Sequence, residues 1–335
     1  MQIYFKFALA AVLFLGVPAA VLPASPERAE VFAPGTISGP DAEFAPAFLP
    51  DSSMVLFTRR NAQGTSVMIS TRHGSVWSSP TIAPFSGEWV DLEAALAPDG
   101  SYAIFASNRP SAEGGKELQA SYGGGSQIGG NLWRVELEQG RWGIPRRLPD
   151  RVNDQTSVWT PSIAQSGALY FMKTDPVTGR FRLHVAASLR GEYGPVRNLP
   201  FSTGRFNDVD PMVDPRERFL IFSSDRSAPG DGVQAGPERL FIAFDVQKAH
   251  PLVCPLMIPG WEDTSLSQIE ARLSPEGHTL YFASRRLAHG VGENPRGDWD
   301  NGQANIWEIP LRATLWNAST GTSPACRTRT LGTMD

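Results

Sequence analysis

The sequence predicts an all-β chain folded as a β-propeller of four-stranded blades, five by count. Three observations predict it. A hairpin pattern returns five times, candidate third and fourth strands follow the copies, and an N-terminal segment can supply the strand that the last copy lacks.

In chain order, residues 1–24 come first. Lys6 precedes an apolar stretch from Phe7 to Val17, followed by small residues and prolines with cleavage candidates near Ala19, Ala20 or Ala24. This is the layout of a secretory signal peptide. The apolar run is shorter than the ~20 residues of a spanning helix, and Pro18 and Pro23 interrupt it. Residues 29–312 form the expected propeller and residues 313–335 a polar tail, and the leader implies a location in the periplasm or outside the cell. No later segment is apolar enough to span a bilayer. Only two cysteines occur, Cys254 and Cys326, so at most one disulfide forms.

The hairpin copies run Glu43 to Arg60, Asp91 to Arg109, Val158 to Thr174, Asp208 to Arg226 and Gln268 to Arg286. Aligning Pro46, Ala94, Pro161, Pro211 and Ala271 gives spacings of 48, 67, 50 and 60 residues. Each copy has a turn such as Pro98-Asp99-Gly100, which reverses the chain sharply, then a strand carrying Phe57, Phe105, Phe171, Phe222 or Phe282. Third strands are expected at Ser66–Thr71, Asn131–Glu136, Arg182–Ala187, Arg239–Phe244 and Asn305–Ile309. Fourth strands follow aromatic-to-proline turns such as Trp77–Pro80 and Trp142–Pro145.

The longest spacing exceeds the shortest by 19 residues, too few to hide a blade of roughly 40. The excess falls in the Gly-rich loop Pro110–Gly130, and a second Gly-rich loop, Leu287–Ala304, lies between the second and third strands of the fifth copy. The fifth copy ends soon after its third strand, and Val31–Ser38 stands in the same relation to Glu43 as Ile82–Ser86 does to Asp91. It is therefore expected to complete the fifth blade and close the ring.

The combination of acid, Pro-Asp-Gly turn, aromatic strand and Ser-x-Arg ending resembles the WD40-like repeat of TolB-like propellers, over about Ala29 to Arg312. That resemblance implies an exported propeller engaged in protein contacts at the bacterial envelope. It also implies six blades, the number usual for that family, where the repeats here count five. The third copy departs from the pattern, with Val158 in the acid position and Gln165-Ser166 in place of Pro-Asp.

Composition agrees with many short buried strands: 41% hydrophobic, 19% charged, 32 Gly and 28 Pro in 335 residues. A net charge of −4 gives no attraction to nucleic acid. The sequence has no Gly-rich phosphate loop, nucleophile elbow, paired zinc cysteines or metalloprotease helix, and its five histidines have no ligand spacing. Asp298, Asp300 and Glu308 near Gly302 fit a surface turn better than a calcium loop. No cofactor and no metal is expected.

The acids Glu43, Asp91, Glu93, Asp208, Asp210 and Glu270 lie at or near the starts of innermost strands, so they ring one mouth of the channel. Arg60, Arg109, Arg226 and Arg286 end the second strands at the same face. Recurrence favours structural pairing between the two sets, with ligand contact as the alternative. Trp89, Trp159 and Trp261 enter the first strands and are either a recognition rim or core between blades. The binding candidates are thus Trp89, Asp91, Glu93, Trp159, Asp208, Asp210, Trp261 and Glu270. Two functions remain: a propeller that binds an envelope protein or glycan, and a glycoside hydrolase using carboxylates at the channel mouth.

Overall fold

The computed structural model describes residues 28–189, 191–226, 236–261, 265–290 and 292–311. Among them are five antiparallel sheets arranged as a five-bladed propeller, and no α-helix. The expected leader, the polar tail and Cys326 lie outside the described residues. Cys254 is buried on the outer strand of blade four.

Blade one runs from the channel outwards as Ala42–Phe48, Met54–Asn61, Gly64–His73 and a split outer edge, Val76–Trp77 with Thr81–Ile82. Blade two repeats this order with Asp91–Leu96, Tyr102–Ser107, Asn131–Glu138 and another split edge. Blade three is Val158–Ile163, Leu169–Thr174, Phe181–Leu189 and Glu192–Asn198. Blade four is Asp208–Val213, Phe219–Ser224, Arg239–Phe244 and Leu252–Pro255.

Blade five has Ile269–Leu273, Thr279–Ser284 and Asn305–Pro310, and its outer strand comes from Glu30–Val31. The ring is closed as the repeats predict, by a shorter strand than expected. Val31 pairs with Trp307, and the Phe32 N–H donates to Ile306 O at 2.8 Å. Beyond Phe32 the chain leaves the sheet in a tight turn, with Ala33 and Gly35 at positive φ and Ile37 fully buried. Phe32 packs edge-on against Tyr281 of blade five and Phe48 and Trp77 of blade one, so its ring spans the closure seam.

The middle strands are the most apolar, as burial on both faces requires. Phe57, Phe105, Phe171, Phe222 and Phe282, the aromatic repeat of the sequence, are all completely buried. The long loop of blade two folds into its own hairpin, Gln119–Tyr122 with Gly125–Ile128, which reaches blade three through a Thr156 hydroxyl bond to Gln119 O. The loop of blade five is organised by Asp300, which accepts hydrogen bonds from Ala288 N, Arg296 N and His289 Nδ1.

Candidate functional site at the channel floor

The acids near the inner strands fall into two sets. Glu43, Asp91 and Asp208 are buried in ion pairs within their own blades: Arg59 Nε donates to Glu43 at 2.8 Å, and Arg109 and Arg226 donate to Asp91 and Asp208 at 2.8 and 2.5 Å. In blade one the partner is Arg59, not Arg60, whose Nε instead donates to the Thr65 hydroxyl.

The Ser-x-Arg ending has a physical reason. Arg109 Nε donates to Ser107 Oγ and Arg226 Nε to Ser224 Oγ, so the serine two residues before aims the guanidinium at the acid. Each guanidinium also lies against the middle-strand phenylalanine, Arg109 on Phe105 and Arg226 on Phe222, both at 5.1 Å. Burial raises the carboxyls of Asp91 and Asp208 despite their arginines, and pushes Glu43 up to about 7 against the opposing Gly39 N–H and Arg59. These pairs hold blade geometry.

The second set arises from a bulge that recurs in every innermost strand. Register shifts at Phe44/Ala47, Leu92/Ala95, Trp159/Ser162, Val209/Met212 and Ile269/Arg272. Within each bulge one residue takes positive φ: Ala45, Glu93, Thr160, Asp210 and Glu270, between 45° and 57°. Left-handed backbone is unfavourable for side-chain-bearing residues outside glycine, and five equivalent departures mark a built feature. In three blades the bulge residue is an acid, and the three acids converge.

Glu93, Asp210 and Glu270 each bring an oxygen within 4.8 Å of the others, and their exposures are only 4–6%. Thr160 N–H and Oγ–H both donate to Glu93 Oε2 at 2.8 Å, and the same hydroxyl reaches Asp210 at 3.4 Å. Glu270 N–H donates to Asp210 Oδ2 at 3.2 Å, and buried Arg272 donates to Glu270 at 3.3 Å. Burial, then the Glu93 charge, pushes Asp210 up to about 7 against Arg272. Burial, then Asp210 and Glu93, holds Glu270 well above the usual carboxylate range. The donor set is all oxygen, suited to a hard cation and unsuited to zinc or copper.

Two funnels open from the channel. One, of about 870 Å³, has the three acids at its floor and walls that include Phe44, Arg60, Asn61, Glu238, Arg285 and Gln303. The other, about 1060 Å³, opens at the hairpin turns and reaches Arg272 from the opposite side.

Of the binding candidates, the structure brings Glu93, Asp210 and Glu270 together, and places Asp91 and Asp208 apart from them in arginine pairs. Trp159 and Trp261 are core side chains. Trp261 stands edge-on to Phe282 and Trp307 with Arg286 4.5 Å above it, and Trp159 bonds to Ser157 Oγ. Trp89 is half-buried before blade two. Sequence reasoning missed Thr160, Arg272 and the funnel residues Asn61, Glu238 and Gln303. The signal for the inner ring was the residue immediately before Pro46, Ala94, Pro161, Pro211 and Ala271.

Fold and site together define a five-bladed propeller with an acidic channel floor. No family model and no curated protein matches the chain. Among solved structures it is similar to the alpha-L-arabinofuranosidase from Lactobacillus brevis, with 11% identity over 84% of this chain and 94% of that one, and a TM-score of 0.52. It is also similar to the putative TolB from Agrobacterium tumefaciens, 16% identical over 82% of this chain and 84% of that one at a TM-score of 0.48. TolB from Acinetobacter baumannii is 13% identical, over 81% and 54% of the two chains, at 0.44. TolB propellers, read from the repeats, are thus among the structures it resembles. At these identities a likeness concerns the fold and leaves the chemistry open.

Proposed function

We propose that this chain is an exported binding propeller of the bacterial cell envelope, taking a protein segment or glycan through the funnel above Glu93, Asp210 and Glu270. The observation that carries this reading is the funnel itself. Its volume of about 870 Å³ and its mixture of the Phe44 ring with the polar ends of Asn61, Glu238, Gln303, Arg60 and Arg285 are those of a recognition site. The leader expected over residues 1–24 and the TolB-like repeat pattern support the location.

Glycoside hydrolysis is a second reading, favoured by Asp210 being pushed up to about 7 beside Glu93, since such a pair offers an acid and a base near neutrality. A solved arabinofuranosidase shares the fold. Geometry weighs against it. Glycosidase carboxyls flank the scissile bond at separations of ~5–9 Å, whereas these three bring oxygens within 4.8 Å of one another and are buried.

The test uses the chain without residues 1–24 on a glycan array and against envelope extract, beside a Glu238→Gln/Gln303→Ala variant. Capture that falls about tenfold, ~1.4 kcal/mol, in a variant of unchanged Tm supports the binding reading. Capture indifferent to these substitutions sinks it. Sugar release by the wild type that Asp210→Asn abolishes puts hydrolysis in its place.

A further inference from the structure

We propose that Cys254 and Cys326 form a disulfide that straps blade five to blade four, a second closure of the ring that opens on reduction. Cys254 is disulfide-bonded, and no described cysteine is a free thiol. The sequence holds one other cysteine, Cys326, 72 positions further on. The intervening chain contains every strand that blade five takes from its own repeat, from Ile269–Leu273 to Asn305–Pro310. The bond therefore makes a covalent loop around that blade.

The place of Cys254 is the first ground. It lies on the outer strand of blade four, in register with Ile242, and is completely buried. Side chains alternate faces along a strand. Val253 packs towards the core shared with blade three, whereas Leu252 and Cys254 face the cluster shared with blade five. That cluster joins Ile242 and Phe244 of blade four to Leu280 and Trp307 of blade five. The sulfur thus stands in the seam between the two blades.

The second ground is the point at which the chain leaves blade five. Leu311 follows the third strand of that blade and is buried in the same cluster, and its N–H donates to His278 O at 2.7 Å. Cys326 is fifteen positions beyond it, and fifteen residues span at most ~50 Å when extended. Both ends of the loop therefore arise at one seam, within reach of each other.

Blade five also gains most from such a bond. Its outer strand, Glu30–Val31, has two residues, against seven and four in blades three and four. The borrowed strand and Phe32 hold it to blade one, and the disulfide holds it to blade four. A cross-link between distant positions removes conformations from the unfolded chain. The chemistry is thiol–disulfide exchange: a disulfide oxidant takes two electrons and two protons from the two thiols as the S–S bond forms, and a dithiol reductant returns them as it breaks. The strap is closed in an oxidising compartment and open in a reducing one.

The experiment takes the full chain equilibrated with oxidised glutathione. In denaturant it should show no reactive thiol, and non-reducing peptide mapping should find Cys254 joined to Cys326. Reduction by dithiothreitol should lower Tm by roughly 10 °C and speed amide exchange in Thr279–Ser284 and Asn305–Pro310, while Leu169–Thr174 of blade three keeps its protection. Cys326→Ser leaves buried Cys254 in place, and it should match the reduced chain and ignore reductant. Two reactive thiols per oxidised chain overturn the proposal, as does a cross-link between two chains. A Tm and an exchange pattern that neither reduction nor Cys326→Ser changes overturn it as well.

Discussion

Trp261 and Trp307 meet edge to face at 4.9 Å, one from the connection entering blade five and the other from its third strand, where Trp307 is the register partner of Val31. Of the two readings the sequence leaves open for Trp261, rim or core, the structure gives core. Trp261→Ala should lower unfolding stability by about 3 to 5 kcal/mol, measured by denaturant titration, with any loss of ligand capture following the loss of structure.

The closure seam gives a second expectation. Deleting residues 29–38 removes the outer strand of blade five and the Phe32 ring that touches blades one and five. The whole ring should lose cooperativity, seen as a lower Tm and a broader transition. Phe32→Ala alone should cost about 3 kcal/mol. An unchanged unfolding curve for the deletion would refute the closure.

Asp91 and Asp208 should behave as structural acids. Asp91→Asn leaves Arg109 buried with its charge uncompensated, so the expected loss is about 3 kcal/mol. Asp208→Asn should match it through Arg226. Replacing both members of a pair with apolar residues should recover much of the loss, and a double-mutant cycle measures it.

His184 sets an acid limit. Burial, then Lys173, pushes its ring down to about 4 from 6.5, and its Nδ1 hydrogen donates to Arg182 O. Between those values the unfolded chain takes the proton first, so stability is full above pH 6.5 and falls as pH drops towards 4. The linked loss is of the order of 3 kcal/mol. His184→Gln should flatten that part of the stability profile, read from urea midpoints across pH.

Much of the fold was legible because a propeller blade repeats its turn chemistry. Pro98-Asp99-Gly100 states a turn that Gly100 makes at positive φ and Asp99 caps by accepting from Ser101, and the buried phenylalanines mark every middle strand. The site was only half legible. Asp91 and Glu93 stand two apart, which in a regular strand puts both on one face. The left-handed bulge at Glu93 breaks that parity, sending one acid to Arg109 and the other to the channel. No local preference of Glu, Asp or Thr announces such a bulge; it is imposed by five strands converging on one axis. Core and rim tryptophans were inseparable for a related reason, since neighbouring blades bury what a single hairpin would expose.

The borrowed strand at Glu30–Val31 also dictates a timetable. Its partner, Asn305–Pro310, lies at the far end of the described chain, so four blades can gather hydrogen bonds while the ring remains an open arc. The last pairing is the least local one, of the kind that folds slowly. Until it forms, the edge of blade five and the Glu30–Val31 segment are both unmatched sticky borders.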